Sequence, residues 1–163
     1  DVIEAIDESI KLNGFPLVLA TDNGAAYTNK VVSRHLRKLK IIHIKSLPRT
    51  PQHNGAVEVG IRELREIMVS KEINLKDAMN VANARLRKYG KKWMNSQSVF
   101  ENGDMLYNKS DRELFYKTCT KQLCALAKQP LNLKKKRMKE RELVFEELSK
   151  RGLVTKWKVT KNG

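Results

Sequence analysis

Apolar and polar positions alternate with two different periods along the chain. Val2, Ile3, Ile6 and Ile10 recur at helical spacing, with Asp1, Glu4, Asp7 and Glu8 between them. Early acids and a terminal Asn13-Gly14 predict a helix over this stretch. Pro16 to Ala20 is a short apolar run that does not alternate, as expected of a strand buried on both faces of a parallel sheet. Asp22-Asn23-Gly24 closes it with turn chemistry. Thr28 is the expected cap of a helix whose stripe is Val32, Leu36 and Leu39. Ile41 to Ile44 reads as a second strand, and Ser46 to His53, with Pro48 and Pro51, as loop. Asn54 is the expected cap of a helix carrying Val57, Ile61, Leu64 and Met68 on one face. Strands alternating with helices predict an α/β fold with parallel strands.

Beyond residue 72 the pattern reads as helical throughout. Asn74 caps Leu75 to Tyr89, which Gly90 stops, and Gly103 sits in a loop. Ser110 opens a helix to about Lys128, broken by Pro130, and Leu131 to Lys150 is a basic helix ended by Gly152. Leu153, Thr155, Trp157 and Val159 alternate with Val154, Lys156, Lys158 and Thr160 and predict a short terminal strand. No internal repeat is visible. The expected organisation is a core at 1–72, its helical end at 73–105 and a basic helical extension at 106–163.

Charge sharpens this division. Of 163 residues, 40% are hydrophobic and 31% charged, which excludes a wholly disordered or collagen-like chain. The net charge is +15; residues 1–70 carry only +2 and residues 71–163 carry +13. A near-neutral core followed by a basic extension predicts a polyanionic partner, nucleic acid first, because each cation that meets a phosphate releases condensed counterions. No apolar run approaches the ~20 residues of a bilayer span, so a membrane is not an expected partner. Two cysteines without a signal peptide predict a reducing, cytoplasmic setting, nucleoid-associated if the source is bacterial. The chain opens on Asp1 rather than Met, which predicts a fragment.

Two acids stand out. Asp22 falls at the C-terminal end of the first strand, where open α/β sheets place their ligands. Glu58 falls in the first turn of the third helix, with 35 residues between the two acids. The intervening helix and parallel strand allow the chain to return and set the two side by side. Converging carboxylates repel one another unless a hard divalent cation such as Mg²⁺ lies between them. At ~100° per residue, Glu58, Arg62 and Arg65 share a face beside the apolar stripe. An acid that holds metal, flanked by two guanidinium groups, suits a phosphodiester.

Thr21-Asp22-Asn23-Gly24, followed by Ser46 to Glu58 (SLPRTPQHNGAVE), resembles the core domain of retroviral-type integrases and of the bacterial insertion-sequence transposases that share it. The likeness covers residues 1–70 and extends more weakly to about 105, where Met94 to Phe100 lacks the Pro usual in the family. It implies a partial ribonuclease-H-like core, two parallel strands with flanking helices. It also implies Mg²⁺ (or Mn²⁺) held by carboxylates, with Asp22 the second and Glu58 the third of the family's catalytic acids. The chemistry implied is phosphodiester strand transfer in DNA transposition or integration. Asn23, Gln52, His53, Asn54, Arg62 and Arg65 are the DNA-contacting residues implied by the match. Lys134, Lys135, Lys136 and Arg137 join them on charge. The partners implied are transposon ends and target DNA, with a homo-oligomer in the complete protein. The family's first aspartate, on a strand upstream of the helix at 1–13, has no counterpart here: Asp1, Asp7 and Glu8 belong to the helix. The chain is therefore expected to be the C-terminal part of a transposase, as an excised fragment, a disrupted reading frame or one half of a split protein whose missing N-terminal part is its partner, with catalysis absent or very weak in this part alone. The alternatives are a non-catalytic DNA-binding remnant and a related nuclease of the same fold.

The remaining candidates read as packing. Cys119 and Cys124 lack partners at zinc-ligand spacing, and His35 and His43 sit on structured elements. Tyr89, Trp93 and Trp157 read as packing residues rather than base-stacking ones.

Overall fold

A computed structural model describes residues 1–47, 55–89, 92–101 and 107–154. The chain forms two compact units, one built from residues 1–50 and 106–163, the other from 51–105. The architecture is mixed α/β and mostly helical, with four short strands among the described residues.

The first unit is organised around a parallel pair. Helix α1 (Val2–Asn13) opens with a capping box: Asp1 accepts from the Ile3 amide while Glu4 reaches back to the chain start. Strand β1 (Val18–Thr21) pairs in parallel with β2 (Ile42–Lys45), in the register Val18 to Ile42 and Thr21 to Lys45. Between them lie the single-turn α2 (Ala25–Thr28) and α3 (Lys30–Lys38). The helices α7 (Lys109–Ala127) and α8 (Leu133–Lys150) complete the unit.

Each face of this small sheet is covered. Leu17, Ile42 and Ile44 pack with Phe115, Cys119 and Val144 of α7 and α8. Val32, Leu36 and Ile41 pack with Ile3, Ile6 and Ile10 of α1 and with Leu19. The non-alternating run in β1 follows from this: Val18 joins one cluster and Leu19 the other. Polar contacts fasten the layers. His35 of α3 meets Asp7 of α1 at 2.7 Å, Lys40 meets Glu113 of α7 at 2.8 Å, and the Arg112 guanidinium stacks 4.1 Å above the Phe15 ring.

The second unit holds α4 (Gly55–Lys71), α5 (Leu75–Ala84), the antiparallel hairpin β3 (Leu86–Tyr89) and β4 (Lys92–Asn95), and α6 (Ser96–Glu101). Its core is Ile67, Ala78 and Ala82, with Leu64, Met68, Ile73 and Val81 around them.

Several sequence expectations need correction. The helix predicted to Tyr89 stops at Ala84, and Arg85 turns extended. Arg87 then pairs with Met94 across the hairpin, and its guanidinium grips both oxygens of Glu63 on α4, at 2.8 and 2.9 Å. That tertiary anchor overrides the helical spacing. Asn29 rather than Thr28 caps α3, since its side chain accepts from the Val32 amide and Thr28 belongs to α2. Asn108 rather than Ser110 caps α7, in a reciprocal box with Asp111. Asn132 caps α8, so Leu131 lies outside that helix. The apolar face predicted for α4 is covered only in its second half: Leu64, Ile67 and Met68 pack, whereas Val57 and Ile61 are exposed. Helix α5 has ten residues against seventeen in α4 and cannot cover the whole face. The predicted cap Asn54, the loop glycine Gly103 and the terminal strand beyond Val154 lie outside the described residues.

Candidate functional site: the carboxyl end of the parallel pair

Asp22 follows the last residue of β1, at the carboxyl end of the sheet, as its position in the chain predicts. The turn that presents it is closely tied. Asp22 Oδ1 accepts from the Gly24 amide at 2.8 Å, an Asx turn. A Cβ on Gly24 would stand 3.0 Å from that same oxygen, so a larger residue there would press on the Asp22 carboxylate. Beneath the turn, Thr21 is buried and its hydroxyl lies 2.9 Å from His43 Nε2 on the neighbouring strand. Burial, with the nearby Lys45 ammonium, holds His43 below its usual range, so the imidazole is neutral at pH 7.

Asn23 is occupied rather than free. Its amide nitrogen donates to the Ser46 carbonyl at 3.0 Å, which ties the turn after β1 to the end of β2. Its carbonyl oxygen accepts from Arg137, whose Nη1 also donates to Ser46 at 3.1 Å. On charge alone Arg137 is expected at a phosphate. Here it reaches from α8 to brace the turn that carries Asp22. The sequence offers no local sign of this, because 114 residues separate Arg137 from Asn23. The three other basic residues of that run divide: Lys134 and Lys135 are exposed, and Lys136 is half-buried.

Glu58 lies in the first turn of α4 with an exposed side chain. Arg62 and Arg65 are exposed on the same helix, and Arg62 stands 3.9 Å from Glu66. Asp22 belongs to the first unit and Glu58 to the second. Gln52, His53 and Asn54 lie outside the described residues. Each acid offers the hard, anionic oxygen donors that a divalent cation such as Mg²⁺ takes. Among the described residues, no three of His, Cys, Asp and Glu gather at metal-holding distance. None of the described helices is long and apolar enough to cross a membrane.

No protein-family model matches the chain. It is similar to the Pol-related polyprotein of the mouse intracisternal A-particle MIA14, with 32% identity over 78 residues, 48% of this chain and 9% of that protein. The Gag-Pro-Pol polyprotein of mouse mammary tumor virus (strain BR6) is 33% identical over 58 residues, 36% of this chain and 3% of that protein. A Mus musculus protein described as IgE-binding is 36% identical over 59 residues, 36% of this chain and 11% of that protein. The chain thus spans about a tenth or less of the length of these relatives. In fold it is similar to a chain of the simian T-cell lymphotropic virus intasome in complex with the PP2A regulatory subunit B56 gamma. The TM-score is 0.53 at 20% identity, over 66% of this chain and 41% of that one. The two viral polyproteins fall on the retroviral side of the resemblance read from the sequence, and none of the four is a bacterial insertion-sequence transposase.

Proposed function

We propose that this chain is an integrase-related region of a retroviral-type polyprotein, with a partial ribonuclease-H-like core that acts on DNA. The observation that carries the reading is the placement of Asp22. The parallel pair sets it at the carboxyl end of β1, in the motif that resembles the integrases, and two of the relatives of matching sequence are retroviral polyproteins. The likeness to an intasome chain supports DNA and protein as partner classes.

In this reading Asp22 and Glu58 would hold Mg²⁺ or Mn²⁺. When bound, the ion supplies Lewis-acid charge for an in-line displacement at phosphorus. The chain's own part is positional. Gly24 and the Asn23–Ser46–Arg137 contacts fix where the Asp22 oxygens point, and Arg62 and Arg65 offer guanidinium groups on the helix of Glu58. Gln52, His53 and Asn54 are assigned to DNA contact by resemblance. The test is DNA joining with Mg²⁺ by this chain supplied with an upstream segment that carries a strand and an aspartate. Joining that Asp22→Asn and Glu58→Gln each abolish supports the assignment, and joining that survives Glu58→Gln overturns it. Salt-dependent DNA binding without joining would favour the non-catalytic reading, which the +13 of residues 71–163 already recommends.

A further inference from the structure

A groove of about 520 Å³ runs along the outer edge of β2, within the first unit. Among the described residues strand β2 pairs only with β1, and its other edge forms the floor. Helix α3 makes one wall and α7 with the start of α8 the other. Cations come from each side: Arg37 from α3, Lys45 from β2, Lys136 from α8. Among the described residues none of these three has an ion-pair partner, and Glu140 is the one acid on the lining. Tyr116 and Thr120 add hydroxyl donors from α7. Lys134 and Lys135 continue the basic surface along α8, exposed.

We propose that this groove is a track for the phosphodiester backbone of a nucleic acid. Unpaired cations on both walls of a cleft focus potential on a chain of evenly spaced anions. The alternative occupant of a strand edge is an added peptide strand. The chain-wide charge of +15 and the continuation of lysines beyond the cleft favour a longer, uniformly charged polymer. Asp22 does not line the groove, but Arg137, which braces its turn, does. The proposal rests on the nucleic-acid part of the reading above and not on its chemistry of strand transfer.

The experiment measures binding of a fluorescent 30-base-pair duplex by the full chain across a salt series. The triple variant Arg37→Gln, Lys45→Gln, Lys136→Gln is compared with Lys11→Gln, Lys30→Gln, Lys109→Gln, which removes the same charge from exposed sites outside the groove. The groove variant is expected to lose at least tenfold in affinity and to lower the slope of log K against log salt by about 2 to 3. The control is expected to change both far less. Cys124 lines the groove and is exposed, so duplex should slow its alkylation in the wild-type chain; buried Cys119, its thiol pushed up to about 12, stays silent. Alkylation reports on the folded wild type even if the groove variant unfolds. Equal losses in the two triples, or no protection of Cys124 at saturating duplex, overturn the groove with DNA binding intact. No binding by the wild type overturns both. Protection of Cys124 by an acidic peptide but not by duplex assigns the edge to a peptide and overturns the proposal.

Discussion

The two units bury their apolar side chains by different means. In the first, the parallel pair is covered on both faces, and Phe115, Leu36 and Val144 are all but inaccessible. In the second, one helix–helix contact around Ile67, Ala78 and Ala82 makes the core, and Val57, Val59, Ile61, Met79, Leu86 and Trp93 remain exposed. A sheet layer gives helices two surfaces to pack on, whereas a short helix such as α5 covers only part of a longer one. The carboxylate carried by the sheet therefore stands on a braced turn, and the carboxylate carried by α4 stands on a half-covered helix. Stability is expected to be uneven in the same sense.

Core truncation separates the units most strongly. Phe115→Ala should cost about 3–5 kcal/mol, because a large ring leaves a cavity walled by both strands and α8. Ile67→Ala should fall near about 2 kcal/mol, since the small partners Ala78 and Ala82 can close in. Urea denaturation with hydrogen exchange on each unit checks this, and equal costs would remove the contrast. Next in size, Arg137→Ala should destabilise the first unit by about 1–2 kcal/mol through its lost bonds to Asn23 and Ser46. Its exchange signature should be faster amides at 22–24 with the second unit unaffected.

The smallest effect concerns the second unit. Glu63 lies below the usual carboxylate range, chiefly because the Arg87 guanidinium donates to it, with Arg85 adding to the effect. A carboxylate lowered on folding adds stability above its unfolded value of 4.5 and loses it as pH falls through the lowered folded value. Glu63→Gln should therefore cost at most about 1 kcal/mol at pH 7 and flatten the acid limb of the unit's stability curve. An unchanged acid limb would show that the hairpin is held by its backbone pairing alone.

What the sequence revealed follows the reach of each signal. Local signals read well: the acidic opening and Asn13-Gly14 mark α1, and the two apolar runs mark parallel strands. Helix ends read less well, because Lys40 and Glu72 take left-handed backbone (φ 55° and 52°) at positions where a glycine would have announced the stop. The amide of Ile41 then bonds to Leu36 and that of Ile73 to Met68, closing α3 and α4 without a sequence signature. The β3–β4 hairpin was missed because Leu86 continues the helical spacing, while the grip of Arg87 on Glu63 is made across 24 residues. At the site, Asp22 was legible from its place after a strand. The Arg137 brace was not, because a basic run on a helix looks the same whether it faces solvent or reaches back into the fold.

The proposal that most needs a test is that Asp22 and Glu58 serve one ion. Calorimetric Mn²⁺ titration of the full chain tests it directly, using wild type, Asp22→Asn, Glu58→Gln and the double variant. Shared ligation predicts that each single change weakens binding nearly as much as both together. Losses that simply add, or a wild-type isotherm that neither substitution alters, would contradict it.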